Sequence, residues 1–328
     1  MTSPGVHLPA EGWLPSLTGA TTWIDSEPLT PEGLRGNVVV ADFCTYTCVN
    51  WLRSLPYVRA WDERYRGDGL VTIGIHTPEF SFEQDLDNIR RALERMRVTY
   101  PIAVDNDYAV WNAFSNHYWP ALYFVDAEGR IRHHRFGEGD YERSEIVIQQ
   151  LLVGAGADVP VGDLVSVDPT GPEVGADWGA LHTPETYLGY RQTENFASPG
   201  GLEPDVPKAY EVPGRVRHNH WALAGGWTAM AEATVSNEPK ARVAFRFDAR
   251  DLHLVMGPES GASVAFSVAI DGGPPGASAG TDVDADGSGE LIEPRMYQLI
   301  RQQGPITDRL FEIEFLDAGA AVYAFTFG

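Results

Sequence analysis

Two cysteines, Cys44 and Cys48, are the residues of this chain best suited to covalent chemistry. An apolar run over Val38–Phe43 ends just before the first, and an amphipathic run begins just after the second. This pattern predicts a strand that leads into a helix, with Cys48 at the helix N-terminus. A helix N-terminus carries about half a positive charge, which stabilises a thiolate and lowers the thiol pKa. Cys48 is therefore a candidate nucleophile.

The residues around Cys48 resemble the active-site signature of the thioredoxin family. Asp42–Trp51 reads Asp-Phe-Cys-Thr-Tyr-Thr-Cys-Val-Asn-Trp, which is similar to Asp-Phe-Trp-x-x-Trp-Cys-Gly-Pro-Cys. Cys48 falls on the nucleophilic cysteine of that signature, and Cys44 falls on its first tryptophan. Trp51 falls on the resolving cysteine, so the Cys-x-x-Cys pair is broken.

Further segments resemble the TlpA/DipZ-like redoxins more closely than thioredoxin itself. They are Leu34–Asn37, Gly74–Phe80, Asp105–Asp107, Trp119–Ala121 and Gly137–Gly139. The resemblance covers roughly residues 15 to 154 and implies an α/β thioredoxin-like domain. It also implies a cis Trp119–Pro120 bond in a loop that packs against the nucleophile and offers backbone groups to an incoming disulfide or peptide. Trp119 would form one wall of that site. A trans proline on an edge strand is the alternative.

Three interpretations of Cys48 remain open without the second signature cysteine. In the first, Cys48 attacks a disulfide or takes an oxygen atom from a peroxide, and an external thiol resolves the product. Thr45, three residues earlier, resembles the threonine that helps peroxiredoxins hold peroxide. In the second, Cys44 resolves Cys48, provided that their Cα atoms approach within about 7 Å; alternatively, Cys44 is an inert packed thiol.

In the third interpretation the site is redox-inactive, and the domain is a scaffold or a binding protein with an aromatic ligand cleft. The aromatic residues of that cleft would be Tyr46, Trp51, Trp111 and Trp119.

Three polar residues complete the candidate site. His76 follows a predicted buried strand, at the carboxyl end where α/β folds bind ligands, and it could act as a base near Cys48. It could equally be a loop histidine that organises its neighbours. Glu79 could face the cleft or bind substrate, and Asn50 could donate a hydrogen bond to the sulfur of Cys48 or to an oxygen on it.

The alternation of strand and helix signals over residues 1–154 predicts an α/β layer fold. The helix that starts at Cys48 should run to Tyr65. The other predicted elements are strands Leu70–Ile75 and Ile102–Val104, helices from Ser81 or Phe82 to Arg97 and over Asp107–His117, a hairpin of Ala121–Val125 and Arg130–Phe136, and a closing helix Tyr141–Leu152.

The remaining chain has a different pattern. Residues 155–180 are rich in Gly, Pro, Val and Asp and predict a linker. Residues 181–328 contain many short strand-like runs broken by turn residues, which predict an all-β sandwich. This part resembles the carboxyl-terminal domain of DipZ-like proteins, a jelly roll like a carbohydrate-binding module. We expect it to pack against the first domain rather than to bind a glycan.

The segment Asp282–Glu293 fits the twelve-residue calcium loop of EF-hands, with Asp282, Asp284, Asp286 and Glu293 as ligands. Its flanks predict strands instead of helices, and Gly289 stands where such loops carry an apolar residue. We therefore favour a solvated acidic hairpin loop and expect no metal site.

Composition limits the partners. Of 328 residues, 43% are hydrophobic, which supports globular cores. There are 24 basic and 46 acidic residues, a net charge of −22, so nucleic acid and anionic membranes are poor partners. No apolar run approaches the roughly 18 residues of a membrane span, and the first 16 residues lack a secretory signal. We expect no cofactor and a cytoplasmic protein, or an extracytoplasmic one if the sequence is part of a longer chain. The oligomeric state stays open.

Overall fold

The structure of this chain, a computed structural model, describes residues 8–328. The chain divides into two units: the first ends at Glu173, and the second comprises Val174–Gly328. The first unit thus includes residues 155–173, which fall inside the predicted linker. Among the described residues, no helix combines the length and the apolar character needed to cross a bilayer.

The first unit is a seven-stranded sheet with helices on both faces. Its strands are β1 (Gly12–Trp13), β2 (Thr22–Ile24), β3 (Val38–Cys44), β4 (Leu70–His76), β5 (Ile102–Val104), β6 (Ala121–Val125) and β7 (Arg130–Phe136). Its helices are α1 (Val49–Tyr65), α2 (Leu86–Arg95), α3 (Ala109–Ala113) and α4 (Tyr141–Gly154). The strand order is β1-β7-β6-β3-β4-β5-β2. β3 pairs parallel to β4 and antiparallel to β6.

The central strand β3 explains why the site lies where it does. All seven residues of β3 are buried, as expected of a strand that is covered on both faces. Phe43 points to the face of α3, where its ring packs edge-on against Trp111 and Phe114. Asp42 points to the face of α1, where it contacts Trp51. The carboxyl ends of β3 and β4 bring Cys44 and His76 side by side.

The predicted helices are confirmed with shorter bounds in two places. The stretch 81–97 is a 3-10 turn over Ser81–Gln84 followed by α2. It divides because the side chain of Asp85 accepts the backbone N–H groups of Asp87 and Asn88 and so caps α2. The stretch 107–117 contains only α3.

Residues 155–173 contain one 3-10 turn, Gly171–Glu173, and are held on the first unit by polar side chains. The carboxylate of Glu145 accepts the backbone N–H of Val165 at 2.9 and 3.0 Å. Gln149 accepts the backbone N–H of Gly162 at 2.7 Å. Arg59 on α1 pairs with Glu173 at 2.8 Å. These contacts anchor a segment that lacks regular structure.

The second unit is all β, as predicted. Its strands are β8 (Thr186–Tyr187), β9 (Pro207–Tyr210), β10 (Trp221–Ala229), β11 (Thr234–Ser236), β12 (Ala241–Phe247), β13 (Asp251–Pro258), β14 (Val264–Ile270), β15 (Ser288–Leu291), β16 (Arg295–Arg301), β17 (Arg309–Phe315) and β18 (Ala320–Phe327). The order is β15-β14-β17-β12-β10-β11-β18-β13-β16, with β8 on β18 and β9 on β10. The finer prediction of a jelly roll stays a prediction.

Strand β10 joins the two halves of this large sheet. Its first residues pair with β12, and its last residues pair with β9 and β11. The change of partner falls at Gly225, whose φ of +85° suits glycine. The two halves share one apolar core, in which the ring of Phe245 lies 5.0 Å from that of Phe325 and 5.3 Å from that of Phe327.

The structure does not support the calcium-loop interpretation of residues 282–293. Asp282 instead pairs with Arg295 at 2.6 Å and accepts the backbone N–H of Gln298 at 2.7 Å. Asp284 accepts the backbone N–H groups of Asp286 and Ser288 at 3.0 and 2.8 Å. Within residues 8–328, no three His, Cys, Asp or Glu side chains converge as metal ligands would. Residues 282–287 are an acidic connection that leads into β15, which occupies Ser288–Leu291 within the same segment.

Candidate active site

Cys48 lies where the sequence places it, at the N-cap of α1. Its φ and ψ of −74° and 113° are extended, so the chain turns into the helix directly after it. Its thiol forms no disulfide and is partly exposed. The sulfur lies 3.9 Å from the carbonyl oxygen of Trp119, which accepts its S–H. A thiol at a helix end beside an irregular loop is open to an incoming reactant.

The loop beside Cys48 carries the predicted cis peptide bond, between Trp119 and Pro120. Pro120 is buried at the start of β6, and its carbonyl oxygen accepts the backbone N–H of Gly137 at 2.8 Å. The partly exposed ring of Trp119 packs 4.3 Å from that of Trp111. Trp119 thus lies next to the sulfur, and its role as a wall for substrate stays a prediction.

Cys44 differs from Cys48 in every property that governs thiol reactivity. It ends β3, is only 1% exposed and is also a free thiol. Burial raises the pKa of Cys44 well above its ordinary value, and the nearby carboxyls of Asp42 and Glu83 raise it further. A resolving role for Cys44 would therefore require both its exposure and its ionisation.

Trp51, which occupies the resolving position, is part of the core. It is 1% exposed, and its indole Nε1–H donates to Oδ2 of Asp42 at 3.0 Å. Tyr100 donates to the same oxygen at 3.4 Å. Burial raises the pKa of Asp42 to about 7, although these two hydrogen bonds oppose the rise. Trp51 therefore cannot line a ligand cleft, which corrects that prediction.

Three other predicted substrate contacts are also buried. Thr45 is 0%, Tyr46 2% and His76 1% exposed. The rings of Tyr46 and His76 stack, with centroids 5.6 Å apart, and burial lowers the pKa of His76 to about 4. His76 is thus neutral at physiological pH, inside the domain. A contact of these three side chains with substrate would need a rearrangement that exposes them, and their substrate role stays a prediction.

Asn50 and Glu79 are the predicted polar residues that remain partly exposed. The side-chain oxygen of Asn50 accepts a hydrogen bond from Nη1 of Arg53 at 3.5 Å. The backbone N–H of Glu79 donates to the carboxylate of Glu83 at 2.6 Å. Both residues are therefore partly exposed and hydrogen-bonded to buried charged side chains, those of Arg53 and Glu83.

Glu83 is a functional candidate that the sequence did not reveal. It is 0% exposed, and one of its oxygens accepts the hydroxyl of Thr47 at 2.6 Å and the backbone N–H of Thr47 at 3.3 Å. The other oxygen accepts the backbone N–H groups of Glu79 and Phe80 at 2.6 and 2.9 Å. Burial raises the pKa of Glu83, and the accepted hydrogen bonds oppose this. Glu83 thus ties the residue before Cys48 to the loop after β4.

Arg53 and Glu138 form a second buried polar contact near Cys48. Arg53 lies five residues after Cys48 on α1, and its Nη1 is 2.9 Å from Oε1 of Glu138. Only 1% and 8% of the two side chains are exposed. The sequence alone does not pair Arg53 with Glu138, because 85 residues separate them.

Comparison with known proteins agrees with this architecture. Residues 183–328 match the family model described as "Thioredoxin like C-terminal domain". Protein DipZ of Mycobacterium bovis and that of Mycobacterium tuberculosis are each 35% identical over 256 residues, which are 76% of this chain and 36% of DipZ. The chain thus spans about a third of the length of the curated DipZ proteins that it matches.

Two further comparisons each cover less than half of this chain. "Thiol-disulfide oxidoreductase YkuV" of Bacillus subtilis is 27% identical over 139 residues, covering 42% of this chain and 93% of YkuV. The solution structure of an oxidized thioredoxin-like protein is 28% identical, covers 44% of this chain and 96% of that one, and has a TM-score of 0.39. The family model, the DipZ relatives and the broken thioredoxin signature identify this chain as a TlpA/DipZ-like redoxin, a thioredoxin-like domain followed by a β domain.

Proposed function

We propose that this chain catalyses thiol–disulfide exchange with Cys48 as its only nucleophilic cysteine. The observation that carries the proposal is the contrast between the two thiols. Cys48 is partly exposed at the N-terminus of a 17-residue helix, beside a cis-proline loop. Cys44 is buried with a raised pKa. The names of the relatives DipZ and YkuV, the latter a thiol-disulfide oxidoreductase, support this class of reaction.

The proposed reaction has two exchange steps. The thiolate of Cys48 attacks one sulfur of a substrate disulfide, forms a mixed disulfide with it and releases the other sulfur as a thiolate. A thiolate from an external thiol then attacks the substrate sulfur of that mixed disulfide. A new disulfide leaves between the substrate and the external thiol, and Cys48 returns as a thiolate. No net electrons remain on the protein.

We infer that an external thiol completes the exchange, because Cys44, the other cysteine of the chain, is buried and has a raised pKa. Trp51 fills the resolving position, and its indole N–H is already bonded to Asp42. Cys44 lies in the core, where its sulfur is 3.8 Å from the position that a Cβ on Gly74 would occupy. A small thiol can approach the partly exposed Cys48 without any rearrangement of these buried groups.

Reduction of a peroxide is the less supported use of the same thiolate. That chemistry would call on Thr45 to hold the peroxide, yet Thr45 is fully buried. A binding protein without redox activity is the alternative from another class. Three of the four aromatic residues predicted for its cleft, Tyr46, Trp51 and Trp111, are buried, which leaves Trp119 partly exposed.

The test compares wild type with Cys48→Ser and Cys44→Ser. Iodoacetamide labelling of the native protein against pH should give Cys48 an apparent pKa below the roughly 8.5 of a free thiol. Exchange of a glutathionylated peptide with excess glutathione should vanish in Cys48→Ser and persist in Cys44→Ser. An ordinary labelling pKa together with peptide exchange that survives in Cys48→Ser would refute the proposal. Hydrogen peroxide consumption by the same variants separates the peroxidase alternative.

A further inference from the structure

We propose that the ion pair between Arg53 and Glu138 positions the cis-proline loop against Cys48, so that an incoming disulfide meets the sulfur and the loop in one fixed geometry. The proposal rests on the exchange function given above. It assigns to the pair a positioning role, because neither side chain is exposed to a reactant: 1% and 8% of them are accessible.

A buried ion pair needs an explanation, because it is a poor way to gain stability. Removing both charges from water costs several kcal/mol per ion in real proteins, and an apolar pair of the same volume is often as stable or more stable. What an ion pair adds is direction, since an arginine donates along fixed axes to a carboxylate oxygen. The 2.9 Å contact between Nη1 of Arg53 and Oε1 of Glu138 fixes a helix relative to a loop.

A series of contacts leads from Cys48 through this ion pair to the cis-proline loop and back to the sulfur of Cys48. α1 carries both Cys48, at its N-cap, and Arg53. Arg53 holds Glu138, and the preceding residue, Gly137, donates its backbone N–H to the carbonyl of Pro120 at 2.8 Å. The carbonyl of Trp119, the other side of the cis bond, lies 3.9 Å from the sulfur of Cys48. The ion pair therefore links the helix that carries Cys48 to the loop that contacts its sulfur.

The loop that carries Glu138 is also held at its ends. Nη2 of Arg135, at the end of β7, donates to the backbone carbonyl of Glu138 at 2.7 Å. The hydroxyl of Tyr141, at the start of α4, lies 3.3 Å from that of Ser54 on α1. These contacts keep the loop attached when the ion pair is removed. A variant at Glu138 should thus shift the loop rather than unfold the domain.

The experiment measures two rates on the same proteins. One is the rate at which Cys48 forms a mixed disulfide with a peptide disulfide, which must fit against the loop. The other is the rate of iodoacetamide labelling against pH, which needs the thiolate but not the loop. The variants are Glu138→Gln, the charge-preserving Arg53→Lys, and the apolar pair Arg53→Met with Glu138→Leu. Glu173→Gln is the matched control, because it removes the carboxylate partner of Arg59, another arginine of α1.

Since a shift of about 1 Å between reacting groups can cost up to about 100-fold in rate, Glu138→Gln and Arg53→Lys should slow peptide exchange about tenfold or more. Their labelling rates and labelling pKa should stay within about twofold and about 0.3 units of wild type, a free-energy change well under 1 kcal/mol. The apolar pair should recover thermal stability but not the exchange rate. Glu173→Gln should match wild type in both rates.

Three outcomes would overturn the inference. An unchanged rate of peptide exchange in Glu138→Gln would show that the loop keeps its position without the ion pair. Equal slowing of exchange and labelling would show that the pair acts on the charge of the sulfur. Full recovery of exchange in the apolar pair would show that the pair contributes only to stability. Wild type that labels at Cys48 but does not exchange would instead refute the proposed function, and the positioning role with it.

Discussion

Replacing Asp42 by Asn should lower the stability of the protein at acid pH and raise it at alkaline pH. Asp42 is 0% exposed, and burial raises its pKa to about 7. In the unfolded chain an aspartate has a pKa of about 3.9. Between these two values the folded protein holds a proton that the unfolded chain has lost. Stability therefore falls as the pH rises through this window, roughly from pH 4 to pH 7.

The size of the effect follows from the shift. The pKa differs by about 3 units between the folded and unfolded chain, and each unit corresponds to about 1.4 kcal/mol. The free energy of unfolding above pH 7 is therefore about 4 kcal/mol lower than it is below pH 4. Asn does not titrate, and its side-chain oxygen can still accept from Trp51 and Tyr100. Its amide nitrogen would take the place of Oδ1, which finds no hydrogen-bond partner among residues 8–328, at a cost of about 1–3 kcal/mol. At pH 4.5 the ionisation of Asp42 already costs wild type about 1 kcal/mol, so the variant should be less stable there by up to about 2 kcal/mol and more stable at pH 8 by about 1–3 kcal/mol.

The assay needs a probe of the first unit alone. Cys44 provides it in a Cys48→Ser background, because its buried thiol reacts with a thiol reagent only when the first unit opens. Urea unfolding at pH 4.5, 6 and 8 is followed by pulse labelling of Cys44, with and without Asp42→Asn. A difference in unfolding free energy that is the same at all three pH values would refute the raised pKa of Asp42.

Two further predictions concern residues that surround Cys48. Trp51→Cys gives the chain three thiols, and oxidation should pair the new thiol with Cys48, three residues earlier. An Ellman assay of the oxidised and denatured variant should therefore detect only the thiol of Cys44, while the cavity and the lost bond to Asp42 should lower stability by about 3–5 kcal/mol; three thiols that persist under oxidant would contradict this. Thr47→Val removes the 2.6 Å hydroxyl donor to Glu83 and leaves a buried carboxylate with one donor fewer, so stability should fall by about 1–3 kcal/mol in urea unfolding, whereas no change would show that Glu83 does not depend on that bond.

The parts of the fold that were predictable from the sequence rest on local patterns. The switch from an apolar run to a period of three to four residues marks the passage from β3 to α1 and puts Cys48 at the N-cap. The turn over Asp126–Gly129 joins β6 to β7 as predicted. The cis bond at Pro120 came from the resemblance to redoxins, because no local pattern of one sequence distinguishes cis from trans.

The orientation of side chains near Cys48 was not predictable in the same way. Tyr46, Trp51 and His76 lie close to Cys48 in sequence or at strand ends, yet all three turn into the core. Whether such a residue faces a cleft depends on what packs over it, and Phe82, which lies against Tyr46, comes from a distant segment. Nothing in the local sequence marks Glu83, and only its contact with Thr47, 36 residues earlier, shows that it joins two segments near Cys48.

In the second unit, the positions of the turns were the feature least predictable from the sequence. Residues 310–327 form one continuous strand-like run in the sequence, but β17 and β18 divide it, with Gly319 in the turn at a φ of +91°. The pair Gly225–Gly226 separates two strand-like runs in the sequence, but β10 continues through it. Glycine marks a bend in both places, and only strand pairing decides whether the chain continues in the sheet or reverses.

The buried charges bear on whether the site is active or inert. A scaffold needs a folded sheet and nothing more, and apolar residues would supply it without the desolvation cost of ionised groups. Around Cys48 the chain buries Glu83 and the pair of Arg53 with Glu138, and each ties a segment next to the sulfur to another part of the domain. The buried Asp42, by contrast, is bonded to Trp51, where a second thiol would otherwise stand. The groups with the highest desolvation cost near Cys48 thus hold its sulfur and the cis-proline loop in place. Exchange by one cysteine and an external thiol requires such a fixed geometry.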